Sequence, residues 1–200
     1  MRAIQHWRPY ICPFECLIRF VPANATVLDI GCGGGLFLGL LAASGPRIAS
    51  GVGFDVSHAA IATAQQMAQR LARLQPSAAK LSFQQLDVSA PWPAGSFDVV
   101  SLIDFMHHVA PPAQRDVLIQ AAGHVAPGGV LIYKDMCRRP LWRASANRLH
   151  DLLLARQWIH HFPIEDAERS LAETGMSVVH RERLNRLWYG HDLLVFSKSA

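Results

Sequence analysis

Residues 26–35 read TVLDIGCGGG, and few folds have a use for such a run. Val27, Leu28 and Ile30 form the short apolar stretch that a buried strand needs. Asp29 interrupts it just before the glycines begin. Gly31, Gly33, Gly34 and Gly35 let the backbone turn tightly and approach a ligand closely, because no Cβ stands in the way. Residues 36–43 (LFLGLLAA) read as the helix that follows. Strand, glycine turn and helix N-terminus together make a binding crevice at the carboxyl end of a parallel strand.

Glycine spacing narrows the ligand. A dinucleotide fingerprint requires a third glycine three residues after the second. Leu36 occupies that position, which argues against a nicotinamide-dependent oxidoreductase. What stands here is Gly31-x-Gly33-x-Gly35 preceded by Asp29, with Cys32 between the first two glycines. This pattern resembles the first motif of the class I S-adenosylmethionine-dependent methyltransferases, small-molecule enzymes of the ubiquinone and menaquinone pathways among them. The resemblance extends in order over residues 26–135. It implies a Rossmann-like α/β fold: a seven-stranded, mostly parallel sheet, helices on both faces and an antiparallel last strand. It also implies S-adenosylmethionine as cofactor, with Asp29, Gly31, Cys32 and Gly33 among the residues that hold it.

The later segments fit that frame. Residues 48–55 read as the second strand and end in Asp55, where a carboxylate accepts hydrogen bonds from ribose hydroxyls. The resemblance gives Asp55 that role and packs Val56 against the adenine. Ser57 caps the next helix, which runs to about Leu74. Residues 80–88 read as the third strand. By resemblance Asp87 accepts the adenine amino group and the Val88 amide meets a ring nitrogen; the alternative is that Asp87 caps the turn before Pro91.

Residues 97–103 are a continuous apolar strand, as expected of one covered on both faces. Asp104 follows, and the resemblance puts a residue near it beside the methionine part of the cofactor. His107 and His108 come next. Either is a candidate general base for a phenol acceptor, or the pair orders the loop. Residues 111–125 read as a helix stopped by Pro127-Gly128-Gly129. Residues 130–133 are the fifth strand, running on through Lys134 and Asp135. A helix over 164–175 and strands over 176–183 and 191–198 complete the domain, with Arg186, Trp188 and Tyr189 in the last turn.

Two segments flank the methyltransferase pattern. Residues 1–25 read as a helical extension whose His6, Trp7, Arg8 and Tyr10 either line the crevice or pack on the core. Residues 137–162 are amphipathic and basic, with Arg138, Arg139, Arg143, Arg148 and Arg156. This segment reads as a lid over the acceptor or as a surface for an anionic carrier or membrane. His160 and His161 lie near its end.

Composition sets the outer bounds. The 200 residues suit one domain, 26–200 after the extension, and half are hydrophobic, which excludes a disordered chain. No apolar run is long enough for a membrane span, and MRAIQHWRPY lacks a signal-peptide core, so a cytoplasmic location is expected. The net charge of +4 sits mostly in residues 134–200, which hold eleven Lys/Arg against eight Asp/Glu. No RNA-binding motif accompanies it, so no nucleic-acid partner is expected. Cys12 and Cys16 lack a second pair to complete a zinc site, and no metal is expected.

The expected activity is methyl transfer to the oxygen or carbon of a small or medium, largely apolar acceptor. The acceptor would be aromatic or polyketide-like, free or held on a carrier protein. No Asn-Pro-Pro-Tyr-type motif points to an amino group as acceptor. A second hypothesis, from another class, is a catalytically silent cofactor-binding protein that regulates or scaffolds a partner.

Overall fold

The structure is a computed structural model and describes residues 14–43, 48–76, 78–137, 160, 162–186 and 189–200. Its elements in chain order are helix α1 (Glu15–Ile18), strand β1 (Thr26–Ile30), helix α2 (Leu36–Ala43), strand β2 (Ser50–Asp55) and helix α3 (His58–Leu74). Strands β3 (Lys80–Gln85) and β4 (Phe97–Ile103) follow, then a 3₁₀ turn (Met106–His108) and helix α4 (Pro111–Gly123). Strand β5 (Val125–Met136), helix α5 (Ile164–Ala172), β6 (Met176–Arg186) and β7 (Tyr189–Lys198) end the chain.

The strands form one seven-stranded sheet in the order β3-β2-β1-β4-β5-β7-β6. β1 pairs in parallel with both β2 and β4, and β4 in parallel with β5. β7 runs antiparallel between β5 and β6. The fold expected from the sequence is therefore the fold observed. Strand order reverses between β1 and β4, which places a crevice beyond their carboxyl ends.

A polar clamp fixes the start of that central pair. The Thr26 backbone N–H and hydroxyl both donate to Asp98 Oδ2, at 2.7 and 2.8 Å, while the Asp98 N–H donates to Thr26 Oγ1 at 3.1 Å. Above it, Val27, Leu28, Ile30, Val99, Val100 and Leu102 are fully buried, because helices cover both faces. On one face Leu28, Ile30, Leu102 and Tyr133 pack with Val117, Leu118 and Ala121 of α4 and Leu171 of α5. On the other, Val27, Val99 and Ile132 pack with Phe37, Leu38 and Leu41 of α2 and Ile61 of α3. Phe14, Leu17, Val21 and Ala25 join this second core, so the aromatic Phe14 packs inward, its ring 6.2 Å from that of Phe37. Burying side chains of this size contributes about 2 kcal/mol each. The residues read as crevice-lining in the extension, His6, Trp7, Arg8 and Tyr10, lie outside the described residues.

Several boundaries differ from the sequence reading. β2 begins at Ser50, and β3 ends at Gln85 because Asp87 turns to bond Ser89. α4 stops at Gly123, and β5 begins at Val125, which pairs with Phe97 before a register shift lets the Pro-Gly-Gly residues bulge. α5 ends at Ala172. β6 and β7 run further toward each other than expected, so Arg186 and Tyr189 pair across the hairpin rather than forming a wide turn. Trp188, residues 138–159 and His161 lie outside the described residues, and with them nearly all of the lid-like segment. Among the described residues no helix is long and apolar enough to cross a membrane.

Candidate active site

The glycine turn rises directly from β1. Gly31, Gly33 and Gly35 have φ of 68°, 53° and 75°, in the left-handed region that side chains with a Cβ avoid. A Cβ on Gly35 would also come within 2.8 Å of the Phe83 ring. The Cys32 N–H donates to Phe54 O at 3.0 Å and ties the turn to β2.

Asp55, at the end of β2, joins two elements. Its Oδ2 accepts the Gly33 N–H at 3.0 Å and its Oδ1 accepts the Ser57 N–H at 2.8 Å. Ser57 Oγ in turn accepts the Ala60 N–H and caps α3, as its sequence position predicts. Val56, beside Asp55, is 62% exposed, an unusual position for an apolar side chain and a suitable one for an aromatic ligand to cover. The turn and Asp55 thus offer what an adenosyl cofactor needs: a tight left-handed glycine turn, and a carboxylate with acceptor capacity beyond its two backbone donors.

Asp87 is exposed one strand further out. Its Oδ1 accepts both the N–H and the hydroxyl of Ser89, which holds its carboxyl below the usual carboxylate range. The turn-capping alternative is thus realised, with the second carboxylate oxygen left for the expected adenine contact. Val88 is half-buried, and its carbonyl accepts the Trp92 indole N–H at 3.0 Å.

Two of the residues expected to hold the cofactor have buried side chains at the turn. Asp29 is 2% exposed and accepts the Ser101 hydroxyl at 2.7 Å across the β1–β4 pair. Cys32 is 7% exposed, and its Sγ packs where a Cβ on Gly53 would stand. Both side chains support the turn from below.

A polar layer lies at the ends of β4 and β5. Asp104 has φ of 51°, a left-handed conformation that costs a non-glycine residue about 1–2 kcal/mol. Lys134, on β5 and completely buried, donates from Nζ to Asp104 Oδ1 at 2.5 Å, and the Asp104 N–H donates to Lys134 O at 2.7 Å. His191 Nε2 lies 3.6 Å from the same carboxylate oxygen. Burial and the Lys134 ammonium push the His191 imidazole down to about 4, against partial compensation by Asp104 and Asp135, so it is neutral at pH 7.

His107 and His108 are brought to the same end of the sheet but into unlike surroundings. His107 is buried; Asp135 accepts its backbone N–H at 2.9 Å through Oδ2 and binds its ring Nδ1 through Oδ1. His108 is exposed, and its ring lies 4.1 Å from that of His107. The His107 carbonyl accepts the His160 N–H at 2.9 Å, and the Gln114 amide donates to both Met106 O and His160 O. His160 is therefore tied to the histidine turn. Among the described residues no group of three His, Cys, Asp or Glu is placed to hold a metal ion.

The sequence reading missed Lys134, Asp135, His191 and Gln114. The signal available was the change from four apolar residues to Lys134 and Asp135 at the end of a buried parallel strand, the end that faces the crevice in this fold.

A family model described as a methyltransferase domain matches residues 4–181. The chain belongs to the methyltransferase-domain family. A ubiquinone biosynthesis O-methyltransferase from Albidiferax ferrireducens is 32% identical over 136 residues, covering 67% of this chain and 47% of that protein. The chain spans about half the length of the curated relatives it matches. Among solved structures, the magnesium protoporphyrin IX methyltransferase of Synechocystis PCC 6803 with bound SAM superposes with a TM-score of 0.70 at 20% identity, covering 98% of this chain and 81% of that one. The N-methyltransferase NodS of Bradyrhizobium japonicum WM9 gives 0.69 at 22% identity, covering 94% and 98%. These likenesses bear out the methyltransferase family and fold read from the glycine motif, and the cofactor class read with them is the one bound in the first structure.

Proposed function

We propose that this protein transfers a methyl group from S-adenosylmethionine to the oxygen or carbon of a small or medium, largely apolar acceptor. The acceptor is aromatic or polyketide-like, free or held on a carrier protein. The carrying observation is the Asp55 carboxylate bonded to the amide of Gly33, which joins the glycine turn to the end of β2. Gly31, Gly33, Asp55, Val56, Asp87, Val88 and Asp104 hold the cofactor, with Asp29 and Cys32 supporting the turn from beneath. S-adenosylmethionine supplies, when bound, a methyl already activated by a positive sulfur. The protein's task is then to align the acceptor, exclude water and accept a proton.

His108 is the exposed member of the histidine pair and the one that meets an acceptor hydroxyl; His107, held by Asp135, fixes its position. The relatives at 32% identity are named O-methyltransferases, which favours a phenolic hydroxyl as the first acceptor to test. The basic segment 137–162 is the element that selects the acceptor, as a lid or as a contact for an anionic carrier or membrane.

The experiment is calorimetry with S-adenosylmethionine and NADH, followed by transfer of labelled methyl to catechols, other phenols and carrier-bound acyl chains. Micromolar binding of S-adenosylmethionine and label on a phenol are expected. Tight NADH binding without S-adenosylmethionine binding would overturn the reading.

A further inference from the structure

Phe105 lies on the first glycine of the turn. A Cβ built on Gly31 would stand 2.1 Å from its Cδ2, 2.6 Å from its Cγ and 2.9 Å from its Cε2, so the ring fills the space a side chain at 31 would need. Its placement is fixed from both sides. On one side is Asp104, left-handed and locked by Lys134, which swings the chain from the end of β4 across the end of β1. On the other is Met106, completely buried, after which the His108 N–H closes the turn onto Phe105 O at 3.0 Å. Between these anchors Phe105 packs against the core and stays half-buried.

The geometry points to Phe105 as the residue by which this site reads the charge of its cofactor. The inference rests on the proposed methyltransferase function. A ring on the glycine turn, next to Asp104, stands at the methionine end of the bound donor. The donor carries a positive sulfur and the demethylated product a neutral one. An aromatic face attracts a cation through its quadrupole and gains little from the neutral thioether. Phe105 therefore favours retention of the charged donor and release of the spent product. Asp104 does not duplicate this selectivity, because Lys134 already neutralises its carboxylate.

Calorimetry tests this without an acceptor. S-adenosylmethionine, S-adenosylhomocysteine and the cationic analogue sinefungin are titrated into the wild type and Phe105→Leu. The ratio of the homocysteine affinity constant to those of the two cations should rise in the variant by about threefold to thirtyfold. Replacing Phe105 by 4-fluoro- and 3,4,5-trifluorophenylalanine keeps shape and packing while draining the ring face, and should raise the ratio stepwise. Equal weakening of all three ligands in Phe105→Leu, with no trend across the fluorinated rings, would reduce Phe105 to packing and overturn the inference. Failure of all three to bind the wild type would instead remove the methyltransferase reading.

Discussion

Asp135 holds His107 twice, once at the backbone N–H and once at ring Nδ1, and so fixes both the position and the rotation of a buried imidazole. A carboxylate only accepts, so Nδ1 carries the hydrogen and Nε2 is the acceptor nitrogen of the neutral ring. Asp135→Asn keeps an acceptor oxygen but removes the charge that strengthens the hold on His107, and with it the placement of His108. If the histidine pair serves as base, the rate of methyl transfer should fall about a hundredfold, while S-adenosylmethionine affinity in calorimetry changes by less than about twofold. An unchanged rate per folded molecule, with only a lowered melting temperature, would make the pair structural.

Asp55 has two duties, and its substitution should show both. Asp55→Ala removes the expected ribose acceptor and should weaken S-adenosylmethionine binding by about 1–3 kcal/mol. It also leaves the Gly33 and Ser57 amides without their carboxylate, so the protein without cofactor should melt earlier. Asp55→Asn, which retains one acceptor oxygen, should recover part of the stability and less of the affinity. Calorimetry and thermal melts separate the two effects; affinity equal to wild type in Asp55→Ala would refute the ribose contact.

The legible part of this molecule is the part set by local spacing. Asp29, Gly31, Gly33, Gly35 and Asp55 are fixed by strand–turn–strand sequence alone, because φ and the missing Cβ act within a few residues. The His191 side of the polar layer was not legible, because it depends on where β7 inserts. Only the antiparallel register that sets His191 opposite Met136, and Asp192 opposite Asp135, brings His191 to Asp104 and Lys134. Nothing in residues 189–198 reveals that register, and a one-residue slip would turn His191 to the other face. Phe105 was hidden for a similar reason: as sequence it is one more apolar residue, and only the left-handed Asp104 lays it on Gly31.

Tyr133 is buried at the end of β5, and its hydroxyl has no hydrogen-bond partner among the described residues. Such a group bears a desolvation cost of about 1–3 kcal/mol that Phe avoids. Tyr133→Phe should therefore be at least as stable as wild type in urea unfolding at pH 7. Burial, together with the negative charges of Asp135 and Asp192, pushes the phenol well above its ordinary range. The folded state then resists ionisation that the unfolded chain undergoes near pH 10, so stability falls as pH rises beyond that point. The variant should lose stability less steeply than wild type there; equal alkaline slopes would contradict this account.

His191 supplies the acid-side counterpart. Its folded-state value of about 4 lies below the 6.5 of an ordinary histidine, so between those limits the unfolded chain binds a proton that the folded protein refuses. Stability therefore rises with pH across that window and falls on acidification from pH 7. Integrated over the window, the loss is about 3 kcal/mol. Burial lowers the value most and the Lys134 ammonium adds to it, while Asp104 and Asp135 partly offset both and the His107 ring also faces the imidazole. His191→Gln keeps a polar side chain without a titrating ring, so its unfolding free energy between pH 7 and 4 should fall less steeply, by about one proton's worth of slope. Urea unfolding at half-unit pH steps reads that slope directly. Identical curves for wild type and variant would mean that the buried imidazole is not kept neutral.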